Sequence, residues 1–389
     1  IAELLAAGPA TVVEPLLEAV LVARVVAAGR ARHDEAVGGD GADARAVLAR
    51  GGAEEERDVP LARGLAPWTA ALREHMHALR LHSVVQLLFT TALATRTQFI
   101  SHAVSAAALM GAMALSKNWP AAEVRTAMLA GLLHDIGEIY IQPEYLDSAD
   151  PLDLEGHKHL AVHPRMAQML LSSTTDYSPM LCRAVGEHHE RLDGSGYPVR
   201  LRGTQISELG KMLSVVEVTL GIARAPSAPM KRTSFALRLI PGEFDLRYVS
   251  FVCNLASAVA ESLPPVAAAP PALNLLNPIE RIKTHMDDVA QLRHTLLRQK
   301  SAAPSMAIVE VATARLSRLQ TAWNSLGSWG ASASELSHED HFEVAMADRE
   351  LDQRMRELQR ECLLLAMRLP LAERGLLAPL WRQLEVDDA

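Results

Sequence analysis

The sequence predicts an all-helical protein, and three observations support that fold class. Ala and Leu, both strong helix formers, are abundant in the 389-residue chain, whereas aromatic residues make up only 4% of it. Apolar residues contribute 49% and charged residues 22%, which is typical of a folded chain with a large buried core. Along much of the chain the apolar side chains recur at helical spacing. We therefore expect helical bundles and at most a trace of strand.

The first 95 residues are predicted to form an N-terminal helical region. Residues 1–29 show the apolar spacing of one or two amphipathic helices, whereas residues from about 30 to 60 are rich in Gly, Ala and charge and predict a flexible insert. Helix is expected again from Trp68 to Thr95. That stretch holds three histidines that are either metal ligands or solvated, hydrogen-bonded side chains: His75, His77 and His82.

Residues 96–262 are predicted to form a central module of successive helices that deliver polar side chains. In chain order we expect a helix with His102, a helix opened by Pro120 that delivers His134 and Asp135, a helix from about Asp153 that carries His163, a helix opened by Pro179 that delivers His188 and His189, and a helix from Ser207 to Ile222 that carries Glu217. The intervals are each about the length of a helix pair with its loops, so each side chain can come from a different helix. Their imidazole nitrogens and carboxylate oxygens suit Mn, Fe or Zn.

Short motifs surround these polar side chains. They read His-Asp-Ile-Gly at 134–137, His-Pro at 163–164, His-His-Glu at 188–190, Asp-Gly-Ser-Gly-Tyr-Pro at 193–198 and Arg-Gly-Thr-Gln-Ile at 202–206. With these motifs in this order, the stretch from about Thr97 to Arg238 resembles the HD-GYP domain, the metal-dependent branch of the HD phosphohydrolase superfamily. The resemblance implies an HD-type helical bundle that binds two divalent metal ions, Fe or Mn, and hydrolyses cyclic di-GMP to pGpG and on to GMP.

The resemblance also implies roles for individual residues. The metal ligands would be His102, His134, Asp135, His163, His188, His189 and Glu217, with Asp135 bridging the two ions. The candidate catalytic residues are Asp135, Glu138 and His163. The candidate substrate contacts are Gly194, Gly196 and Tyr197 on the Gly-Tyr-Pro loop and, on the basis of charge alone, Arg191, Lys231 and Arg232.

Several positions depart from the family's pattern. Glu138 stands where the family usually has Lys beside the metal centre, and Glu217 replaces the usual Asp, with Leu220 at the position of a second acid. Gln98 replaces the Glu that members with a third metal carry, which indicates two metals. Glu138 either turns into solvent and weakens the binding of an anionic substrate, or supplies an oxygen ligand in place of the one missing at Gln98.

These departures leave three functions open. The first is a cyclic di-GMP phosphodiesterase in bacterial second-messenger signalling. The second is a degenerate regulator with little turnover, which keeps the bundle and acts by binding a ligand or a protein partner. The third is a hydrolase of another nucleotide or phosphate ester. Metal content separates the second function from the first, and a panel of substrates separates the third.

The C-terminal part of the chain is predicted to be separate. A Pro-rich linker is expected at 263–278 and a helical region at 279–389. In that region six apolar residues alternate spacings of four and three, which indicates a coiled coil or helix hairpin or, equally, an ordinary bundle face. They are Leu351, Met355, Leu358, Cys362, Leu365 and Leu369. The coiled-coil interpretation would allow a homodimer through these helices.

The remaining features concern partners and compartment. The net charge of −8 implies no general attraction to nucleic acid, so the expected partner is the cyclic dinucleotide. Cys182, Cys253 and Cys362 lie far apart in apolar helical runs and are interpreted as small buried hydrophobes, which fits a reducing cytoplasm. Neither a membrane-spanning segment nor a signal peptide is expected, and the predicted location is the cytoplasm.

Overall fold

The computed structural model describes residues 59–95, 97–146, 154–223, 229–259, 261, 277–299, 303–325 and 337–381. Within these ranges the regular elements are helices, and the β-bridge between Asp193 and Arg202 is isolated. The all-helical prediction is confirmed. The predicted helices at 1–29 lie outside the described residues. The predicted insert and linker also lie outside them, except for residues 59–60 of the insert and 277–278 of the linker, which begin helices.

Contacts divide the chain into two compact units. One consists of Ile1–Leu237 with Gly242–Ser262, and the other of Arg238–Pro241 with Leu263–Ala389. The finer division into an N-terminal region, a central module, a linker and a C-terminal region stays a prediction.

Helices up to residue 259 alternate with short turns. They are α1 (Val59–Leu65), α2 (Thr69–His77), α3 (Ser83–Thr95), α4 (Thr97–Ser116), α5 (Ala121–Leu133), α6 (Pro143–Leu146), α7 (Leu154–Ala161), α8 (His163–Thr174), α9 (Pro179–Gly186), α10 (Glu208–Ala223), α11 (Pro229–Leu239) and α12 (Leu246–Val259). Single 3₁₀ turns lie at Ala66–Trp68, Ile136–Tyr140 and Gly203–Gln205.

Helix α4 forms the centre of the first unit. By length and composition its stretch Gln98–Ser116 could cross a membrane, with a mean hydropathy of 1.5, but 72% of it is buried inside the protein. This burial is that of a core helix, and the absence of a membrane-spanning segment stays a prediction. Its small residues allow α5 to approach closely: a Cβ on Gly131 would lie 2.8 Å from the carbonyl carbon and oxygen of Ala106. This contact brings the polar ends of the two helices together.

Several predicted helix boundaries need correction. Helix does not run unbroken from Trp68 to Thr95, because α2 ends at His77 and α3 begins at Ser83. The helix expected to carry His163 is also two helices, since α7 ends at Ala161 and His163 is the first residue of α8. Pro164 accounts for this break, because a proline ring disfavours continued helix before it and suits a first turn. Pro120 is the N-terminal cap of α5 rather than a member of its first turn.

The described part of the second unit contains three long helices and one short helix. They are α13 (Asn277–Arg298), α14 (Ala303–Asn324), α15 (His338–Ala366) and α16 (Leu371–Leu377). The first four residues of the predicted seam, all on α15, are buried, and α15 packs against α13 and α14 of the same unit. The bundle-face interpretation therefore accounts for these four positions, and the homodimer stays a prediction. Of the cysteines, Cys182 and Cys362 are buried, whereas Cys253 is only half-buried.

Candidate metal centre

The first group of donor atoms, here called subsite A, consists of His102, His134, Asp135 and Glu217. His102 Nε2 lies 3.1 Å from His134 Nε2, 3.2 Å from Asp135 Oδ2 and 3.5 Å from Glu217 Oε2. His134 Nε2 lies 3.1 Å from the same Asp135 oxygen and 3.3 Å from the same Glu217 oxygen. Donor atoms bound to one ion at about 2.1 Å would be separated by about 3–3.4 Å. Subsite A therefore has the spacing of a single-ion site.

The second group, here called subsite B, consists of His163, His188 and His189 together with the other oxygen of Asp135. The Nε2 atoms of His163 and His188 are 2.9 Å apart, and each lies 3.3 Å from Asp135 Oδ1. One Asp135 oxygen thus faces subsite A and the other faces subsite B. This is the geometry that a bridging carboxylate requires.

The ring nitrogens that point away from the centre are engaged. In three of the histidines, Nδ1 lies within hydrogen-bond distance of the carbonyl oxygen three residues earlier. The pairs are His134 with Gly131 at 2.7 Å, His163 with Leu160 at 2.6 Å, and His188 with Val185 at 2.7 Å. Because a carbonyl can only accept, Nδ1 carries the proton and Nε2 presents a lone pair, as in most metal-binding histidines.

The centre contains two buried acceptor oxygens that no hydrogen bond satisfies. Asp135 Oδ1 and Glu217 Oε2 are buried and have no hydrogen-bond partner. When the imidazoles are neutral, the nitrogens that face these oxygens also present lone pairs. Lone pairs at these distances repel one another unless a cation lies between them, and an unsatisfied buried oxygen is costly. The residues present therefore fit divalent metal ions, with mixed nitrogen and oxygen donors.

The charges in subsite A shift the pKa values of its members in opposite directions. Burial alone would lower the pKa of His134, but the Asp135 and Glu217 carboxylates raise it well above its ordinary value. Burial would likewise lower the pKa of His102, which the same carboxylates raise. Burial would raise the pKa of both carboxylates, but the surrounding histidines hold each well below its usual range. The centre thus strongly favours positive charge between its donor atoms.

Two histidines of subsite B behave differently from those of subsite A. Burial lowers the pKa of His188, and burial together with the neighbouring charge of His188 lowers the pKa of His189 well below its ordinary value. The sequence analysis expected both on the helix opened by Pro179. That helix, α9, ends at Gly186, and both histidines lie in the turn that follows it. These imidazoles are held neutral, which is the form that binds metal.

Glu138 lies at the centre and not on a continuation of α5. That helix ends at Leu133, and Glu138 belongs to the 3₁₀ turn Ile136–Tyr140. Donor atoms of Glu138, Asp135 and His163 all lie within 4.8 Å of one another. Burial, and then the nearby charge of Asp135, raise the pKa of Glu138 to about 7. Of the two interpretations made from the sequence, the one that turns the side chain into solvent does not match this position.

Gly137 sets the distance between the 3₁₀ turn and α8. A Cβ at this position would lie 2.1 Å from the carbonyl oxygen of His163 and 2.8 Å from the amide nitrogen of Ala167. No side chain fits in that space without moving the backbone. The close approach brings the turn that contains Glu138 against His163, the first residue of α8 and a member of subsite B.

The Gly-Tyr-Pro loop packs against subsite B. The Tyr197 ring stacks on the His189 ring, with centroids 4.5 Å apart and an interplanar angle of 17°. The Tyr197 amide donates to the His189 carbonyl at 3.1 Å. Gly196 is required there because a Cβ would lie 2.3 Å from that same carbonyl oxygen, and Gly194 has a φ of +80°. The loop thus borders the metal centre.

Glu190 holds this loop, a role that the sequence did not indicate. Its buried carboxylate accepts hydrogen bonds from three successive backbone amides, those of Val199 at 2.7 Å, Arg200 at 3.1 Å and Leu201 at 2.8 Å. Its position directly after the two histidines was visible in the sequence. Its partners are backbone groups, which leave no residue-specific signal.

The other predicted positions lie in different settings. The Arg191 guanidinium lies 4.8 Å from the centroid of the Phe244 ring, and its charge helps to lower the pKa of His189 after burial and His188. Lys231 and Arg232 lie in the first turn of α11. Substrate contact by these three residues stays a prediction.

The early histidines do not join the metal centre. His82 Nδ1 accepts from the Val84 amide, and the His82 amide donates to the Tyr177 hydroxyl. Among the described residues, the groups that could hold a metal do not include His75, His77 or His82. The hydrogen-bonded interpretation therefore holds for His82.

Comparisons with known proteins point to one family. Residues 88–242 match the model of the HD domain family. The cyclic di-GMP phosphodiesterase PA4108 of Pseudomonas aeruginosa is 37% identical over 117 residues, which are 30% of this chain and 28% of that protein. The cyclic di-GMP phosphodiesterase response regulator RpfG of Xanthomonas campestris is 34% identical over 97 residues, which are 25% of this chain and 26% of that protein.

A third relative is named for a different cyclic dinucleotide. The 3'3'-cGAMP-specific phosphodiesterase 3 of Vibrio cholerae is 32% identical over 89 residues, which are 23% of this chain and 19% of that protein. The chain therefore spans less than a third of the length of each of these three relatives. Among solved structures, Bd1817, an HDG"Y"P protein from Bdellovibrio bacteriovorus, matches with a TM-score of 0.37 and 16% identity, covering 52% of this chain and 71% of that one. The HD domain match over residues 88–242, the names of these relatives and the motifs at the metal centre agree with one another.

Proposed function

We propose that this chain is a metal-dependent phosphodiesterase that hydrolyses cyclic di-GMP to pGpG and on to GMP in the bacterial cytoplasm. The single observation that supports this best is Asp135, whose two oxygens each face a separate group of histidine nitrogens. The proposal includes two divalent ions, Fe or Mn, one in each subsite. The names of PA4108 and RpfG support cyclic di-GMP as the substrate.

The chemistry proposed for the centre needs two positive charges close together. Two bound divalent ions would neutralise the oxygens of a phosphodiester and lower the pKa of a water, so that hydroxide is available near neutral pH. The chain's own part is to hold the ions. The bonds from Nδ1 to backbone carbonyls orient three imidazoles, and Asp135 fixes the spacing between the subsites. Tyr197, stacked beside subsite B, presents its ring where a base of the substrate could pack.

A second candidate substrate is 3'3'-cGAMP. The observation that favours it is the match to a 3'3'-cGAMP-specific phosphodiesterase over 89 residues. The two substrates share the phosphodiester that the ions would bind and differ only in one base. Base contacts, not the metal centre, would therefore decide between them.

The test is metal analysis and turnover measured on one preparation of the full chain. We expect about two equivalents of Fe or Mn per chain and hydrolysis of cyclic di-GMP, with 3'3'-cGAMP and linear pGpG measured beside it. Two equivalents of metal without turnover of any of these would favour the non-hydrolytic regulator. Protein that binds no divalent metal after anaerobic loading with Fe²⁺ or Mn²⁺ would contradict the proposal.

A further inference from the structure

A backbone hydrogen bond to Asp135 positions Glu138. Its amide donates to the Asp135 carbonyl at 2.8 Å, in the 3₁₀ turn that follows the bridging aspartate. Its carboxylate then lies in a group with Asp135 and His163 whose donor atoms are all within 4.8 Å of one another. A side chain directed into solvent would not bring a carboxylate oxygen so near a buried imidazole. A divalent ion between the Glu138 and Asp135 carboxylates would stabilise two negative charges at this short distance.

The geometry of His163 indicates the subsite to which Glu138 belongs. Its Nδ1 lies 2.6 Å from the Leu160 carbonyl, so only Nε2 can bind a metal. That nitrogen lies 3.3 Å from Asp135 Oδ1, the oxygen that faces subsite B. A carboxylate grouped with His163 and Asp135 is therefore grouped with subsite B.

We propose that Glu138 is an oxygen ligand of the ion in subsite B. This inference rests on the proposed function, which supplies the two-ion centre. Subsite A combines two imidazoles with Glu217 and the shared Asp135, whereas subsite B without Glu138 has three imidazoles and only the shared carboxylate. With Glu138 as a ligand, each ion would have one carboxylate of its own besides the shared Asp135. The negative charge of the ligands would then be divided evenly between the two ions.

The ligand role has a consequence for substrate binding. In the family pattern this position is a Lys, whose charge would attract a phosphate. An anionic ligand here instead reduces the net positive charge of the centre. The affinity for a cyclic dinucleotide must then come from the ions and from the Gly-Tyr-Pro loop.

The test compares Glu138→Gln and Glu138→Ala with a matched control, Glu144→Gln. Glu144 is an exposed glutamate on α6 and belongs to neither subsite. Each full-length protein is loaded with Mn²⁺ and dialysed against a chelator, and the bound metal is measured over time by plasma mass spectrometry. We expect one equivalent to leave both Glu138 variants at least about tenfold faster than wild type, and Glu144→Gln to match wild type. Electron paramagnetic resonance should show the coupled two-Mn²⁺ signal of wild type replaced by that of a single ion.

Retention of both equivalents at the wild-type rate in both Glu138 variants would overturn the inference and leave the proposed function standing. Wild-type protein that never binds two ions would overturn both. Circular dichroism checks folding, and if the alanine variant is unfolded, the isosteric Glu138→Gln decides. Glu138→Lys gives an independent reading: loss of one metal equivalent supports the ligand role, whereas tighter cyclic di-GMP binding with unchanged metal content contradicts it.

Discussion

Subsites A and B use similar donor atoms, but the fold supports them differently. Two ligands of subsite A, His102 and Glu217, lie within the long helices α4 and α10, and its remaining two follow directly on α5. The histidines of subsite B lie at the first residue of α8 and in the turn after α9, and the stacked Tyr197 borders them. Subsite A thus depends on core packing, whereas subsite B depends on helix ends and on a loop. We expect subsite B to be the more sensitive of the two to local changes.

Removal of the shared carboxylate should have the largest effect, because it belongs to both subsites. Asp135→Ala should abolish metal binding and reduce turnover by on the order of a thousandfold or more, while helicity stays largely intact. Metal analysis, turnover and circular dichroism on one preparation check this. Wild-type activity in the variant would contradict the two-ion proposal and the comparison between the subsites.

Loss of a single subsite B histidine should remove one ion and leave the other. His188→Ala should keep about one metal equivalent and lose nearly as much turnover as Asp135→Ala, since ligands that act together give non-additive losses. His102→Ala is the matched change in subsite A. If each variant keeps about one equivalent, the two subsites bind metal independently. If either variant loses both ions, the subsites bind metal cooperatively and are not supported separately by the fold.

Acidification should empty subsite A before subsite B. In the metal-free chain the pKa values of His102 and His134 are raised, so protons compete for their nitrogens already above the ordinary value of 6.5. In subsite B burial would lower the pKa of His163, but Asp135 and Glu138 raise it, whereas burial lowers the pKa values of His188 and His189. Two of the three subsite B imidazoles, but neither of those in subsite A, therefore stay neutral to lower pH. Metal affinity should therefore fall as pH decreases, with one equivalent lost first.

Metal content after equilibration at stepwise lower pH measures this order. In His102→Ala, which lacks an intact subsite A, the early step should be missing. Simultaneous loss of both equivalents in wild type would show that the subsites do not differ in their competition with protons.

The smallest effect should come from the loop that borders subsite B. Glu190→Gln places an amide group among three backbone N–H donors, which should destabilise the loop by about 1–3 kcal/mol. We expect KM for the cyclic dinucleotide to rise about tenfold with metal content unchanged, with Glu144→Gln as the control. Loss of metal in Glu190→Gln would mean that the loop also supports the ions.

The metal centre could be predicted from the sequence because its chemistry is residue-specific. The seven predicted ligands, from His102 to Glu217, lie together in the structure. Their grouping was predictable because motif order and helix-length intervals can be read from the sequence. Helix boundaries near the centre were less accurate, because His163 and His188 lie beside Pro164 and Gly186, where helices begin and end.

Contacts made to the backbone could not be predicted in the same way. Glu190 binds amides that lie nine to eleven residues later, and Glu187 binds the amide of Ser207. Any residue type could supply those amides, so no pairing is visible in the sequence. The packing of the α15 seam inside its own unit likewise depends on partner helices that spacing alone does not identify.

The contact at Gly137 has a consequence for how precisely the two subsites are spaced. Because backbone atoms of the 3₁₀ turn meet backbone atoms of α8 there, the separation is set by main-chain contact and not by side-chain rotamers. Main-chain positions vary less than side-chain torsions as a protein fluctuates. A single added methyl group at this glycine would push Asp135 and His163 apart, and one carboxylate could then no longer face both subsites. The span of the bridge is thus fixed by the absence of a side chain.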